Sequence, residues 1–89
     1  MNLFSLEGKV ALVTGAGRGI GRGIAEGLAV QGARIVAAGR TRSQLDDLIG
    51  EVTSAGGDGL AVEMDVSDLD SIREGVGAAV NHFGRIDIL

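Results

Sequence analysis

Apolar residues recur along this chain in two rhythms that take turns. Short aliphatic runs read as strands: Val10-Ala11-Leu12-Val13 within about 9–14, Arg34-Ile35-Val36-Ala37-Ala38, and Gly59-Leu60-Ala61-Val62-Glu63-Met64. Between them the spacing becomes helical. Ile20, Ile24 and Leu28 predict a helix over about 19–31 that Gly32 ends, and Leu45, Leu48, Ile49 and Val52 predict one over about 42–54 that Gly56-Gly57 stops. Ile72, Val76, Ala79, Val80 and Phe83 give a third helix its stripe, Gly84 closes it, and Ile86-Asp87-Ile88-Leu89 begins a fourth strand. Thr41 with Gln44, and Ser67 with Asp70, have the spacing of helix caps. In the lead-in, Leu3, Phe4 and Leu6 are expected to pack at the sheet edge. Strands alternating with helices at this rhythm predict parallel β-α-β units, with right-handed crossovers that place helices on both faces.

The first strand runs into Thr14-Gly15-Ala16-Gly17-Arg18-Gly19-Ile20-Gly21. Glycines let a backbone turn sharply and approach a ligand with no Cβ in the way. The unpaired N–H groups of the helix that follows lie at the positive end of its dipole and favour an anion such as a diphosphate. The spacing is specific. The common dinucleotide pattern G-x-G-x-x-G fails in every register, because its third glycine falls on Ile20, Arg22 or Ile24. The pattern T-G-x-x-x-G-x-G fits, through Thr14, Gly15, Gly19 and Gly21.

Composition narrows the function classes. Eighty-nine residues make at most one small domain. The chain is 45% apolar with two aromatic residues, Phe4 and Phe83, so its core is built from aliphatic side chains, as suits a parallel sheet buried on both faces. A net charge of −4 argues against nucleic acid as a partner. There is no cysteine, hence no disulfide or thiolate chemistry, which permits a reducing, cytoplasmic setting. The amino terminus shows no signal peptide, and no apolar run approaches the ~18 residues of a membrane span. His82 stands without a second ligand nearby and reads as a surface residue, so no metal site is expected.

These landmarks resemble the short-chain dehydrogenase/reductase family over essentially the whole chain. Lys9 to Gly15 looks like its first strand and loop, Met64-Asp65-Val66 like the end of its third strand, and Phe83-Gly84-Arg85-Ile86-Asp87-Ile88-Leu89 like its approach to the fourth. The resemblance implies an α/β, three-layer Rossmann-like parallel sheet, of which residues 1–89 are the first half, with strand order 3-2-1-4 and the fourth strand incomplete. It implies a nicotinamide dinucleotide as cofactor, a small carbonyl or alcohol as substrate of the complete protein, and a homo-oligomer. The family's catalytic Ser and Tyr-x-x-x-Lys pair follow the fourth strand. Here there is no tyrosine and the only lysine is Lys9, so no catalytic residue is assigned and these 89 residues alone are expected to be inactive.

Cofactor choice turns on the end of the second strand, where an acidic residue favours the free 2′-hydroxyl of NAD and an arginine favours the 2′-phosphate of NADP. Gly39 occupies the position of the acid, Arg40 follows, and Arg18 lies in the glycine loop, so NADP is expected rather than NAD. Arg42 reads as a solvated surface residue. The cofactor-binding residues are therefore expected to be Gly15, Gly17, Arg18, Gly19, Ile20, Gly21, Arg40, Thr41, Asp65 and Val66. Asp65 and Val66 match the family positions that border the adenine, so the resemblance implies that role; Asp65 is alternatively a helix-entry cap or serves both ends, and Thr14 is expected to brace the loop through its hydroxyl. One alternative is a stand-alone nucleotide-binding or interaction module without catalysis; its apolar last strand, left open, argues against it. A methyltransferase or flavoprotein is a second, disfavoured by the missing acid after the second strand.

Overall fold

A computed structural model describes residues 6–89. Leu3 and Phe4 lie outside the described residues. The elements are β1 (Val10–Thr14), α1 (Gly19–Val30), β2 (Arg34–Gly39), α2 (Arg42–Ser54), β3 (Gly59–Glu63) and α3 (Leu69–Phe83). The three strands form a parallel sheet in the order β1-β2-β3, with Val10 opposite Arg34 and Ile35 opposite Gly59. On the free side of β1, Ile88 makes an isolated parallel bridge to Ala11, and its carbonyl accepts from the Leu12 N–H at 2.8 Å. The order is thus 3-2-1 with residue 88 next in line. The fourth strand is represented by that one bridge rather than by a run over residues 86–89.

Alternation along the strands divides the core into two layers. Ala11, Ile35 and Ala37 face α1 and α2 with Ala25, Leu45, Leu48 and Val52; Leu6, half-buried, joins this cluster. Val10, Leu12, Val36, Ala38 and Val62 face α3 with Met64 and Ala79. The α2 stripe is as the spacing predicts, but that of α1 holds only at Leu28. Ile20 is 84% exposed and Ile24 51%, while Ala25 is the buried position. The cause lies at Gly21: a Cβ there would land on the Gly15 carbonyl, 2.8 Å from its carbon, so the helix lies directly against the loop. That contact turns the Gly21–Ala25–Leu28 face inward and rotates the two isoleucines outward. Gly23 and Gly27, by contrast, have open space where a Cβ would stand, so close packing does not account for them. On α3, Val80 is likewise exposed, and Gly75 is buried because a Cβ there would meet the Met64 methyl and lie 3.2 Å from Val62 Cγ1.

The caps also differ from expectation. Thr41 occupies the N-cap of α2 without a side-chain cap bond. The N-cap of α3 is Asp68, not Ser67; its carboxylate accepts from the Asp70 N–H at 3.0 Å and the Ser71 N–H at 3.4 Å. Gly32 (φ +98°) and Gly84 (φ +83°) end α1 and α3 in the left-handed conformation that glycine adopts without strain.

Candidate dinucleotide site

The carboxyl ends of parallel strands gather the loops that follow them at one edge of the sheet, where ligands of open α/β folds bind. Here these are residues 15–18 after β1, 40–41 after β2 and 64–68 after β3. Gly15 (φ +62°) and Gly19 (φ +63°) take left-handed conformations, and a Cβ at either would meet nothing within 4 Å, so the loop's outer side is open. The turn is tied down by backbone, with the Ala16 N–H donating to the Ala38 carbonyl at 3.1 Å. The Thr14 hydroxyl has no hydrogen-bond partner among the described residues, so it does not brace the loop as expected; the close seat of Gly21 on Gly15 does. Arg18 is the N-cap of α1, and no side chain caps that helix.

A cavity of about 280 Å³ opens between this loop and the start of α2, lined by Gly15, Gly17, Arg18, Gly39, Arg40, Thr41, Gln44 and Leu45. Five of the eight lie in the loops after β1 and β2, and Gly39 is the last residue of β2. A second, of about 300 Å³, adjoins it through Arg40 and is lined also by Glu63, Met64, Asp65 and Ser71. Arg40 is 75% exposed and its Nη2 stands 3.7 Å from Asp65 Oδ2. The Asp65 carboxylate accepts from both the Ser67 hydroxyl (2.6 Å) and the Ser67 N–H (2.9 Å). These bonds, with Arg40 behind them, hold its pKa below the usual carboxylate value. Asp65 therefore shapes the turn ahead of α3 but does not cap it. Val66, 61% exposed, and Ile20 line neither cavity. Arg42 turns away, its Nε 3.2 Å from Asp46 and its Nη1 donating to the Ala61 carbonyl at 3.3 Å. A larger cavity, about 430 Å³, lies between α1 and α2 and touches none of these loops; Glu26, Ala29, Val52 and Ala55 are among its walls.

Two residues escape sequence reading, one on the cavity wall and one outside both loop cavities. Gln44 does not turn back to complete a capping box; its side chain lies over Gly17, where a Cβ would be 2.7 Å from the amide oxygen and 2.9 Å from the Gln44 Cβ. Arg22, on the first turn of α1, stands 3.8 Å from Glu26, 3.2 Å from Asp47 and 2.8 Å from Glu51. Its hydrogen bond to Glu51 lowers that carboxyl's pKa and raises its own. A signal for Arg22 does exist: Asp47 and Glu51 are like charges at i, i+4, a destabilising pair unless a cation sits between them.

Residues 9–89 match the short chain dehydrogenase family. The chain belongs to that family. The matched region is its α/β, Rossmann-like part, and the family is one of oxidoreductases. Versicolorin reductase stcU of Emericella nidulans is 42% identical over 87 residues, which are 97% of this chain and 33% of that one. The 3-ketoacyl-(acyl-carrier-protein) reductase of Brucella melitensis, solved with NADH, superposes with a TM-score of 0.85 at 43% identity over 93% of this chain and 33% of its own. A metagenomic short-chain oxidoreductase solved with NADP superposes at 0.88, with 39% identity over 94% of this chain and 38% of its own. The chain thus spans about a third of the length of the relatives it matches. Among the described residues no helix is long and apolar enough to cross a membrane, and no group of His, Cys, Asp or Glu could hold a metal ion.

Proposed function

We propose that this segment binds NADP(H) for an oxidoreductase that moves a hydride between the nicotinamide and a small carbonyl or alcohol substrate. The observation that carries the cofactor choice is the shared cavity. Arg18 and Arg40, from different loops, line one space of about 280 Å³, and glycine stands where an acid would repel a phosphate. A guanidinium presents several donors in a fixed fork, which suits a 2′-phosphate, and among the described residues that of Arg18 has no protein partner. Gly15 to Gly21 would take the diphosphate against the uncapped start of α1, and Thr41 adds a hydroxyl at the phosphate end. Asp65 and Val66 would border the adenine. When bound, the nicotinamide supplies the hydride; this chain's residues hold and orient the nucleotide that carries it. The 89 residues contain no tyrosine, the residue that the family resemblance implies as the acid for the substrate oxygen.

The test is Arg40→Ala in the complete protein, with the dissociation constants of NADPH and NADH measured at one salt concentration. Loss of a charge-assisted hydrogen bond should weaken NADPH by about 1–3 kcal/mol. NADH, which has no 2′-phosphate, should change little. Equal losses for both would overturn the NADP reading.

A further inference from the structure

The 280 Å³ cavity lies between two bodies, the Arg18 loop with α1 and the start of α2, and their spacing needs a cause. The described contacts supply two links that close a ring. On one side, Gln44 of α2 lies over Gly17 of the loop. On the other, Arg22 reaches from α1 to Asp47 at 3.2 Å and to Glu51 at 2.8 Å on α2. The ring is completed along each helix. The Arg22 N–H donates to the Arg18 carbonyl at 3.4 Å, and Asp47 lies three residues, about one turn, beyond Gln44. The Arg22 side chain is 20% exposed, while Asp47 and Glu51 are 71% and 54% exposed, so the ion pairs stand at the surface and it is the stem of the arginine that packs between the helices. It lines neither loop cavity.

We propose that Arg22 is a positioning residue for cofactor selectivity: its ion pairs to Asp47 and Glu51 set the gap between Arg18 and the start of α2, and so the fit of a 2′-phosphate between them. This inference rests on the phosphate reading of that cavity. A group that carries a charged ligand by two arms from separate loops is sensitive to their separation, because bidentate geometry fails with sub-ångström drift. Carboxylates on the far side also count. With Arg22 removed, Glu26 on α1 faces Asp47 and Glu51 on α2 without the cation they share, and that repulsion across the gap favours a wider one.

The experiment compares NADPH and NADH dissociation constants in the complete protein for wild type, Arg22→Gln, Arg22→Lys and Arg40→Ala. Arg22→Gln should lower the preference for NADPH over NADH about fivefold, within the range that residues away from a ligand command, and Arg22→Lys should recover part of it. A merely structural role would weaken both cofactors alike and leave the ratio unmoved. An unmoved ratio in Arg22→Gln, alongside a ratio that falls in Arg40→Ala, overturns the clamp and leaves the phosphate reading standing. An unmoved ratio in Arg40→Ala overturns the phosphate reading, and the clamp with it. Should Arg22→Gln fail to fold by circular dichroism, Asp47→Asn carries the same comparison, and a ratio within error of wild type there overturns the proposal.

Discussion

Gly39→Asp inserts a carboxylate at the end of β2, next to Arg40 and on the wall of the cavity that Arg18 lines. The backbone at this position is extended strand and not left-handed, so the added side chain brings no φ strain. Its Cβ would stand 3.3 Å from Leu45 Cδ2, so that buried leucine must give by a few tenths of an ångström. Leu45 is fully buried, so the steric cost is about 1–3 kcal/mol of stability. The electrostatic effect falls on binding. The new carboxylate competes for Arg40 and repels a phosphate, so NADPH should lose the net value of a charge-assisted bond, about 1.5–3 kcal/mol, or roughly ten- to a hundredfold in Kd. The NADH ribose gains an acceptor for its 2′-hydroxyl, worth about 1 kcal/mol or roughly fivefold. Together the preference should swing by two orders of magnitude, on the order of 2.5–4 kcal/mol. Fluorescence titration or calorimetry of the complete protein at one ionic strength reads both constants, since the contact is ionic. Gly39→Ala is the control for the Leu45 contact. A matching shift in Gly39→Ala, or equal weakening of both cofactors by Gly39→Asp, would refute the reasoning.

Three other outcomes can be checked. Asp65→Asn should weaken NADPH and NADH by similar factors through the adenine, while the release of Arg40 from its 3.7 Å partner moves the ratio slightly toward NADPH; a selective loss of NADPH would contradict this. Gly21→Ala must drive α1 away from the Gly15 carbonyl, and should cost about 1–3 kcal/mol of stability in thermal melts of the complete protein, where Gly23→Ala, with open space around it, should cost nothing. Asp87 accepts from the Arg85 guanidinium and from the Val10 N–H at 2.9 Å, and these bonds hold its pKa below the ordinary value of 3.8. A carboxyl depressed in the fold stabilises above its unfolded pKa and loses that stabilisation as pH falls through the folded one. Asp87→Asn should therefore be less stable than wild type at pH 7 and approach it in a pH series below about 4.

The sheet was readable from sequence because each strand's neighbours agree with its own pattern. Leu12, Val36 and Val62 alternate with residues of the other face, and both faces are covered. The α2 stripe was readable for the same reason. On α1 the largest apolar residues misled, since closeness of approach and not side-chain size decides which face turns inward, and that is marked by Gly21 and Ala25. The loop residues Gly15 to Gly21, with Arg40, were legible because local spacing dictates their geometry. Gln44 over Gly17 and Arg22 against Asp47 were not, because each joins residues 25 or more apart whose proximity only the packed helices create. The cap of α3 fell to Asp68 because Ser67, one residue earlier, gives its N–H and hydroxyl to Asp65.

Beside Ile35, the face of the sheet toward α1 and α2 carries the small side chains Ala11 and Ala37, and α1 meets it with Ala25. Such a layer acts as a shim whose thickness fixes the height of the glycine turn above the end of β2. Thickening it by two methyl groups, as valine at position 25 would, tilts the helix outward and carries the turn with it. In a saturation screen scored by NADPH affinity, these three inert-looking alanines would then rank beside the arginines, although none of them can touch the nucleotide.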